Sequence, residues 1–215
     1  MIDKITELKK QIIVQAATVE FMFDNFIENL REKNEQKLKE IFLMEKRVNE
    51  KEIAIEENAI EIIALNQPEA KNLRTIVMIM KMNNDLERIG DLIVDITGFY
   101  MSHIKEEDFV DIKKLILMAK KSQEMLSESI EAFKKENVDL AHNVCKKDDF
   151  VDQLHKELRN EIIGFIKKNP IHTRKMFDLY NVIFKIERIA DLSTNIAEEA
   201  IYRSEGKDIK HGQFV

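Results

Sequence analysis

Glycine, proline and cysteine are scarce in this chain of 215 residues. It contains 5 glycines, 2 prolines and 1 cysteine, whereas 34% of its residues are charged and 44% are hydrophobic. This composition disfavours sheets and glycine-rich loops, and it is typical of long amphipathic helices. The single cysteine, Cys145, excludes an intramolecular disulfide and is consistent with a reducing compartment. We therefore predict an all-α protein.

Long apolar runs are also missing from the sequence. Even a run as long as any in the chain, Ile76–Met80, is far too short to span a bilayer, and the first residues show no basic region followed by an apolar core. A formal net charge of -6 and the lack of a basic stripe with aromatic residues disfavour nucleic-acid binding. We expect a soluble, cytoplasmic protein with no nucleic-acid partner and no membrane insertion.

One internal repeat organises the chain. The string Glu-Arg-Ile-Gly-Asp-Leu at 87–92 returns as Glu-Arg-Ile-Ala-Asp-Leu at 187–192, which indicates a tandem duplication. Pro68 and Pro170 end equivalent helices in the two copies. The pattern predicts repeats at 1–104 and 105–206, followed by a tail at 207–215. Apolar periodicity predicts six helices at about 3–32, 35–65, 69–103, 108–135, 138–168 and 172–204.

Each copy carries a column of acidic residues on its third helix. Glu87, Asp91 and Asp95 are four residues apart and therefore share one helix face. In the second copy the column is Glu187, Asp191 and then the neutral Asn195. Each like-charge contact costs a few tenths of a kcal/mol, so the columns need nearby cations, a bound metal ion or screening water. The apolar residues fall on the opposite face, which places both columns outside the bundle core.

The middle helix of each half carries a second polar pair. Glu45 lies four residues before Asn49, and Asp148 lies four residues before Asp152. Both pairs lie at the margin of the apolar stripe and could approach the third helix. The sequence alone does not decide whether the two faces meet.

A ferritin-like di-iron site is disfavoured, because such sites use inward carboxylates and two Glu-x-x-His motifs. Only Asp152-x-x-His155 resembles that motif, and its counterpart is Asn49-x-x-Glu52, so we interpret it as a solvated helix face. The remaining histidines show no zinc-ligand spacing.

Two positions within the repeated string remain to be interpreted. Arg88 and Arg188 recur with it, and we expect ion pairs between helices, with neutralisation of the acidic columns as the alternative. Gly90 corresponds to Ala190, so a small residue at this position is expected to allow a helix or a ligand to approach closely.

Longer stretches around these motifs resemble the PhoU family of phosphate-uptake regulators. The resemblance spans roughly 5–206 and includes Gln67-Pro-Glu-Ala, Asn84-Asp-Leu-Glu-Arg-Ile-Gly-Asp, Lys147-Asp-Asp-Phe-Val-Asp-Gln and Lys185-Ile-Glu-Arg-Ile-Ala-Asp. It implies a PhoU-like fold of six long helices, arranged as two three-helix bundles related by pseudo-twofold symmetry. It also implies frequent dimerisation, so a homodimer is expected.

The resemblance further implies acidic motifs that bind transition-metal ions, with Fe or Zn expected first and Mn or Mg next, and no organic cofactor. The asparagines, as weaker neutral ligands, should make the two sites differ. If phosphate binds directly, it should require such a metal. Carried over by motif, the ligands are Glu87, Asp91, Asp95, Glu187 and Asp191, the supporting ligands are Glu45, Asp148 and Asp152, and the flanking residues are Arg88, Arg188, Asn49 and Asn195.

By the same resemblance, the chain is a negative regulator of phosphate uptake. It would act as an adaptor between the ATPase subunit of the phosphate ABC importer and a phosphate-responsive sensor histidine kinase. A metal-cluster protein, or a relative that serves another transporter, remains an alternative. We predict no catalytic residues, because the sequence has no phosphate-cradling glycine loop and no nucleophile elbow. A phosphatase that acts through surface metals would be the enzymatic alternative.

Overall fold

The computed structural model describes residues 1–32, 34–101 and 112–205. Within these ranges the chain is helical and contains no strand, which confirms the all-α prediction. The predicted end of the third helix at 103, the start of the fourth at 108, the boundary at 104–105 and the tail at 207–215 lie outside the described residues. The six helices are α1 (Ile2–Glu32), α2 (Glu35–Asn66), α3 (Ala70–Phe99), α4 (Ile112–Lys135), α5 (Val138–Lys168) and α6 (Thr173–Glu205).

Asparagine and proline set the helix ends. The Asn34 side chain caps α2 by accepting hydrogen bonds from the backbone N–H groups of Gln36 and Lys37, at 3.0 and 3.4 Å. Asn137 caps α5 in the same way through the N–H of Leu140, at 3.1 Å. Helix α2 ends at Asn66, and its C-cap residue Gln67 adopts a left-handed conformation (φ 42°) before Pro68. Equivalent positions in the two halves are therefore capped by the same residue type.

Each half is a three-helix bundle. Helices α1, α2 and α3 pack on one another, and α4, α5 and α6 do the same. The buried apolar side chains of both bundles form one continuous cluster. The predicted pair of three-helix bundles is thus confirmed.

Helix α3 packs along α6 between the two halves, and α1 also touches α4. Ion pairs between described residues cross from α3 to α6. Lys81 Nζ lies 2.6 Å from Glu199 Oε1, and Lys185 Nζ lies 2.5 Å from Asp95 Oδ2. Within the described ranges, no helix has an apolar stretch long enough to cross a bilayer.

Candidate metal centres

Two groups of acidic side chains form where the middle and third helices of each half meet. Burial is the largest cause of the raised pKa of Asp91 on α3, and the nearby charge of Glu45 on α2 adds to it. In the second half, burial raises the pKa of Glu187 on α6, and the charges of Asp191 and of Asp152 on α5 add to it. The two faces left undecided by the sequence therefore do meet. We define the first acidic cluster as Glu45, Asn49, Glu52, Glu87 and Asp91, and the second acidic cluster as Asp148, Asp152, His155, Glu187 and Asp191.

Close packing of α2 on α3 accompanies the first acidic cluster. A Cβ placed on Gly90 would lie 3.6 Å from Val48 Cγ1, which is ordinary van der Waals contact. Val48 precedes Asn49, whose Nδ2 donates to Glu45 Oε1 at 2.5 Å. The small residue therefore marks a close helix approach, as expected, although alanine would also fit there.

Carboxylates in the first acidic cluster hold their protons more tightly than in water. Burial raises the pKa of Glu87, and the charges of Asp91, Glu52 and Glu45 raise it further against the opposing charge of Arg88. Burial also raises the pKa of Asp91, with additional repulsion from Glu45 and Asp95. Burial is the largest cause of both shifts, and the neighbouring carboxylates add to it.

The second acidic cluster is more strongly perturbed. Burial, followed by the charges of Asp191 and Asp152, raises the pKa of Glu187 to about 7. Burial together with the charges of Asp191 and Asp152 raises the pKa of Asp148 to about 6. Some of these carboxyl groups are therefore protonated near neutral pH unless a cation is bound nearby.

The interpretation of Asp152-x-x-His155 as a solvated face holds for Asp152, which is exposed, and is wrong for His155. The His155 side chain is only 14% exposed, and its Nδ1 lies 3.9 Å from Glu187 Oε1. Its ring stacks on Tyr180, with centroids 6.0 Å apart. Burial lowers the pKa of His155. Sequence reasoning missed this residue because its counterpart, Glu52, weakened the motif, although both positions belong to the two clusters.

The arginines depart from the expected pairing between helices. Arg188 Nη1 lies 2.7 Å from Asp191 Oδ2, one turn away on the same helix. The expectation of an interhelix pair is wrong for Arg188, which instead neutralises part of its own acidic column. Arg88 acts on its own helix as well, where its charge opposes the rise in the pKa of Asp85 and Glu87 that burial causes.

The last members of the two columns face the junction between the halves. Asp95 pairs with Lys185 of α6, and Asn195 lines a pocket between α3 and α6. Neither belongs to the clusters defined above, although the charge of Asp95 still reaches Asp91. The columns as a whole lie outside the core, as predicted, because their members are exposed or half-buried.

The structure also reveals an acidic residue that the sequence analysis missed. Asp85 is only 8% exposed, and burial raises its pKa to about 6. A comparison across the repeat would have found it, because Asp85 stands where the second copy has Lys185.

The donor chemistry of the second acidic cluster fits a metal ion. Glu187 Oε2, Asp148 Oδ1 and His155 Nε2 are buried atoms with no hydrogen-bond partner. Carboxylate and imidazole donors together suit Fe, Zn or Mn. However, no three His, Cys, Asp or Glu side chains among the described residues converge to ligate one ion. Side chains would have to rotate to close such a site.

Comparisons with known proteins extend over nearly the whole chain. A family model described as the PhoU domain matches residues 12–98 and again residues 115–200. The Thermotoga maritima protein named phosphate-specific transport system accessory protein PhoU homolog 2 is 30% identical, over 97% of this chain and 88% of that protein. The crystal structure of PhoU from Pseudomonas aeruginosa matches with a TM-score of 0.90 at 25% identity, covering 95% of this chain and 98% of that chain.

A second solved structure, described as the phosphate transport system regulatory protein PhoU from Streptococcus pneumoniae, matches with a TM-score of 0.87 at 27% identity. It covers 96% of this chain and 97% of that chain. The internal repeat and the two matched segments coincide, because each segment contains one copy of the repeated string. This chain belongs to the PhoU family.

Proposed function

We propose that this chain is a cytoplasmic accessory protein of a phosphate-specific transport system, and that it lowers phosphate uptake when phosphate is plentiful. The observation that carries this proposal is the match of both halves to the PhoU domain model. The relative from Thermotoga maritima is named for such a transport system, and the structure from Streptococcus pneumoniae is described as regulatory. Likeness over 97% of this chain supports the same role for it.

The proposed mode of action is that of an adaptor. Its partners would be the ATPase subunit of the phosphate importer and a phosphate-responsive sensor histidine kinase. A net charge of -6 and two acidic clusters provide a negative surface that is complementary to basic patches on partner proteins. Homodimerisation would double the number of such surfaces in one assembly.

A pull-down experiment tests the adaptor role. The chain is immobilised and offered the importer's ATPase subunit and the sensor kinase from the same cell. A double variant, Asp91→Ala with Asp191→Ala, removes one carboxylate from each cluster. The matched control is Asp149→Ala, which changes an exposed aspartate of α5 outside the clusters.

Capture of both partners by the wild type and the control supports the adaptor. Loss of capture in the double variant alone assigns the contact to the acidic clusters. Failure of the wild type to capture either partner contradicts the adaptor role. That result favours the alternative that this chain serves another transporter.

We further propose that the acidic clusters hold metal ions, Fe or Zn before Mn or Mg. Glu87, Asp91 and Glu45 would hold an ion in the first half, and Glu187, Asp191, Asp148 and Asp152 in the second, with Asp95 less available because it pairs with Lys185. A bound cation would supply positive charge where carboxylates now repel one another. This proposal fails if chelator-treated protein takes up no Fe, Zn or Mn at micromolar concentrations.

An enzymatic role through surface metals is the less favoured alternative. It predicts that the metal-loaded chain hydrolyses phosphomonoesters and that Asp91→Ala with Asp191→Ala abolishes turnover. The adaptor predicts no turnover by either protein.

A further inference from the structure

Exposed apolar side chains recur at equivalent positions on the outer surfaces of the two halves. Ile60 of α2 is 53% exposed, and Ile163, which takes its place in the second copy, is 44% exposed. Val77 of α3 and its counterpart Phe177 of α6 are exposed as well. Single exposed apolar residues are ordinary, whereas apolar residues that gather on one face mark interaction surfaces. Each half therefore presents a candidate surface for contact with another protein.

The surface of the first half combines isoleucine with glutamate. Ile53 and Ile60 of α2 are seven residues apart and share one helix face, and Glu56 lies between them. Glu50 lies one turn before Ile53. All four side chains are exposed, and neither glutamate forms an ion pair with a described residue. We call these four residues the α2 face.

The surface of the second half combines aromatic with basic side chains. Lys156, Arg159 and Ile163 share one face of α5 and are exposed. Neither of the two cations forms an ion pair within the described part of the chain. On α6, Phe177 and Phe184 are exposed. We call these five residues the α5–α6 face.

The members of the α5–α6 face lie next to one another. Helices α5 and α6 pack together and are joined by a short connection, so they run antiparallel. The ring centroid of His155 on α5 lies 6.3 Å from that of Phe184 on α6. A step from His155 toward the end of α5 is therefore a step toward the start of α6, which brings Arg159 and Ile163 level with Phe177.

The two surfaces differ in charge. Residues 50–61 of α2 include five glutamates and one lysine. The equivalent residues 153–164 of α5 include one lysine, one arginine and two glutamates, and Lys114 of α4 holds both glutamates at 3.1 and 2.5 Å. Arg74 of α3 and Arg174 of α6 occupy equivalent positions, so they contribute alike to both halves.

Comparison of the two copies locates this difference on the faces themselves. Arg159 stands where the first copy has Glu56, and Lys156 stands where it has Ile53. Asp152, one turn before Lys156, reduces the positive charge on α5 without cancelling it. The α2 face is therefore negative and the α5–α6 face positive, while both keep exposed apolar side chains.

We propose that a second copy of this chain docks on this surface, so that the α2 face of one copy covers the α5–α6 face of the other. The glutamates of the α2 face meet Lys156 and Arg159, and its isoleucines cover Ile163 and Phe177. Opposite charges set the orientation of such a contact and disfavour the pairing of two like faces. The occupant is a second copy, because the chain itself supplies a helix whose exposed isoleucines and negative charge complement the α5–α6 face.

The contact can form twice in one dimer. Every chain carries both faces, and the pseudo-twofold relation between the halves places them at equivalent positions. A true twofold axis can then bring the first half of each copy onto the second half of the other. This proposal rests on the homodimerisation proposed above and assigns its surfaces.

Gel filtration coupled to light scattering tests the contact by measuring the mass of the full-length protein, treated with chelator so that no metal ion bridges two chains. One variant makes the α2 face basic through Glu50→Lys with Glu56→Lys. A second variant makes the α5–α6 face acidic through Lys156→Glu with Arg159→Glu. A third variant carries all four changes.

The matched control is Asp3→Lys with Glu40→Lys, which alters the net charge as much as the first variant does, at exposed positions outside both faces. We expect the wild type and the control to have the mass of two chains. Each single-face variant should have the mass of one chain, because like charges then face each other. An equimolar mixture of these two variants, and the variant with all four changes, should regain the mass of two chains, which also shows that the variants fold.

A wild type that stays monomeric at up to about 0.1 mM overturns this proposal together with homodimerisation. If the wild type dimerises and either single-face variant still does so, only the assignment of the surfaces is overturned. A mixture of the two variants that stays monomeric overturns the pairing of these two faces in the same way.

Discussion

The ionised carboxylate of Glu187 lowers the free energy of unfolding of this protein. The pKa of Glu187 rises from 4.5 to about 7, so the folded state binds more protons than the unfolded state between these values. Stability therefore decreases as the pH rises through this window. The penalty is absent below pH 4.5, where both states are protonated, and is complete above about pH 7.

Glu187→Gln should remove this penalty. For the metal-free protein, we expect the variant to match the wild type near pH 4.5 and to be more stable by about 1 to 3 kcal/mol at pH 8. Urea unfolding at both pH values measures the difference, with Glu57→Gln on the exposed face of α2 as the control. A pH-independent difference would contradict the assignment of the charge repulsion to this residue.

The substitution Gly90→Ala tests whether the close approach of α2 and α3 requires glycine at this position. The added methyl group of Gly90→Ala would make ordinary contact with Val48, and alanine favours a helix over glycine by about 1 kcal/mol. We expect a gain in unfolding free energy of about 0.5 to 1 kcal/mol. Gly98→Ala is the matched control, because no atom lies within 4 Å of its added Cβ. A destabilised Gly90→Ala protein would show that the interface has no room for the methyl group.

Side-chain hydrogen bonds connect the three helices of the first bundle. The buried Gln15 of α1 donates to Asn83 Oδ1 of α3 at 3.1 Å, and Asn83 Nδ2 donates to the Glu52 carbonyl of α2 at 2.9 Å. The second copy has Ile183 at the position of Asn83. One asparagine therefore joins three helices in the first half only.

Asn83→Ala should destabilise the protein by about 1 to 3 kcal/mol, because the Gln15 amide would stay buried without its acceptor. Thermal or urea unfolding measures this loss, and Asn143→Ala on the exposed face of α5 is the control. Equal stability of the two variants would show that water replaces the lost hydrogen bonds.

The helices themselves were predictable, whereas their side-chain partners were not. Repeats, prolines and apolar periodicity located the helices that the structure describes, because capping residues and apolar spacing are local properties of the sequence. The proximity of Glu45 to Asp91 depends on how α2 packs on α3, and no spacing along the chain reports that. His155 was misjudged for the same reason, since Glu187 and Tyr180 approach it from another helix. Asp85 could have been found by aligning the two copies, because the second copy has a lysine, Lys185, at the equivalent position.

On the scale of the whole molecule, the two halves share one core. The buried apolar cluster runs through both bundles, and α3 packs on α6 along the junction. We expect a single cooperative unfolding transition, with calorimetric and van't Hoff enthalpies in agreement. Differential scanning calorimetry measures both enthalpies. Two resolved transitions would show that the bundles unfold separately.

The most direct test of the proposed function is the rate of phosphate uptake by cells in phosphate-rich medium. The strains compared are the parent, a deletion of the gene for this chain, and the deletion carrying either the wild-type gene or Asp91→Ala with Asp191→Ala. We predict that deletion raises uptake, that the wild-type gene restores the low rate, and that the double variant restores it poorly. Unchanged uptake after deletion would contradict a role in restraining phosphate transport.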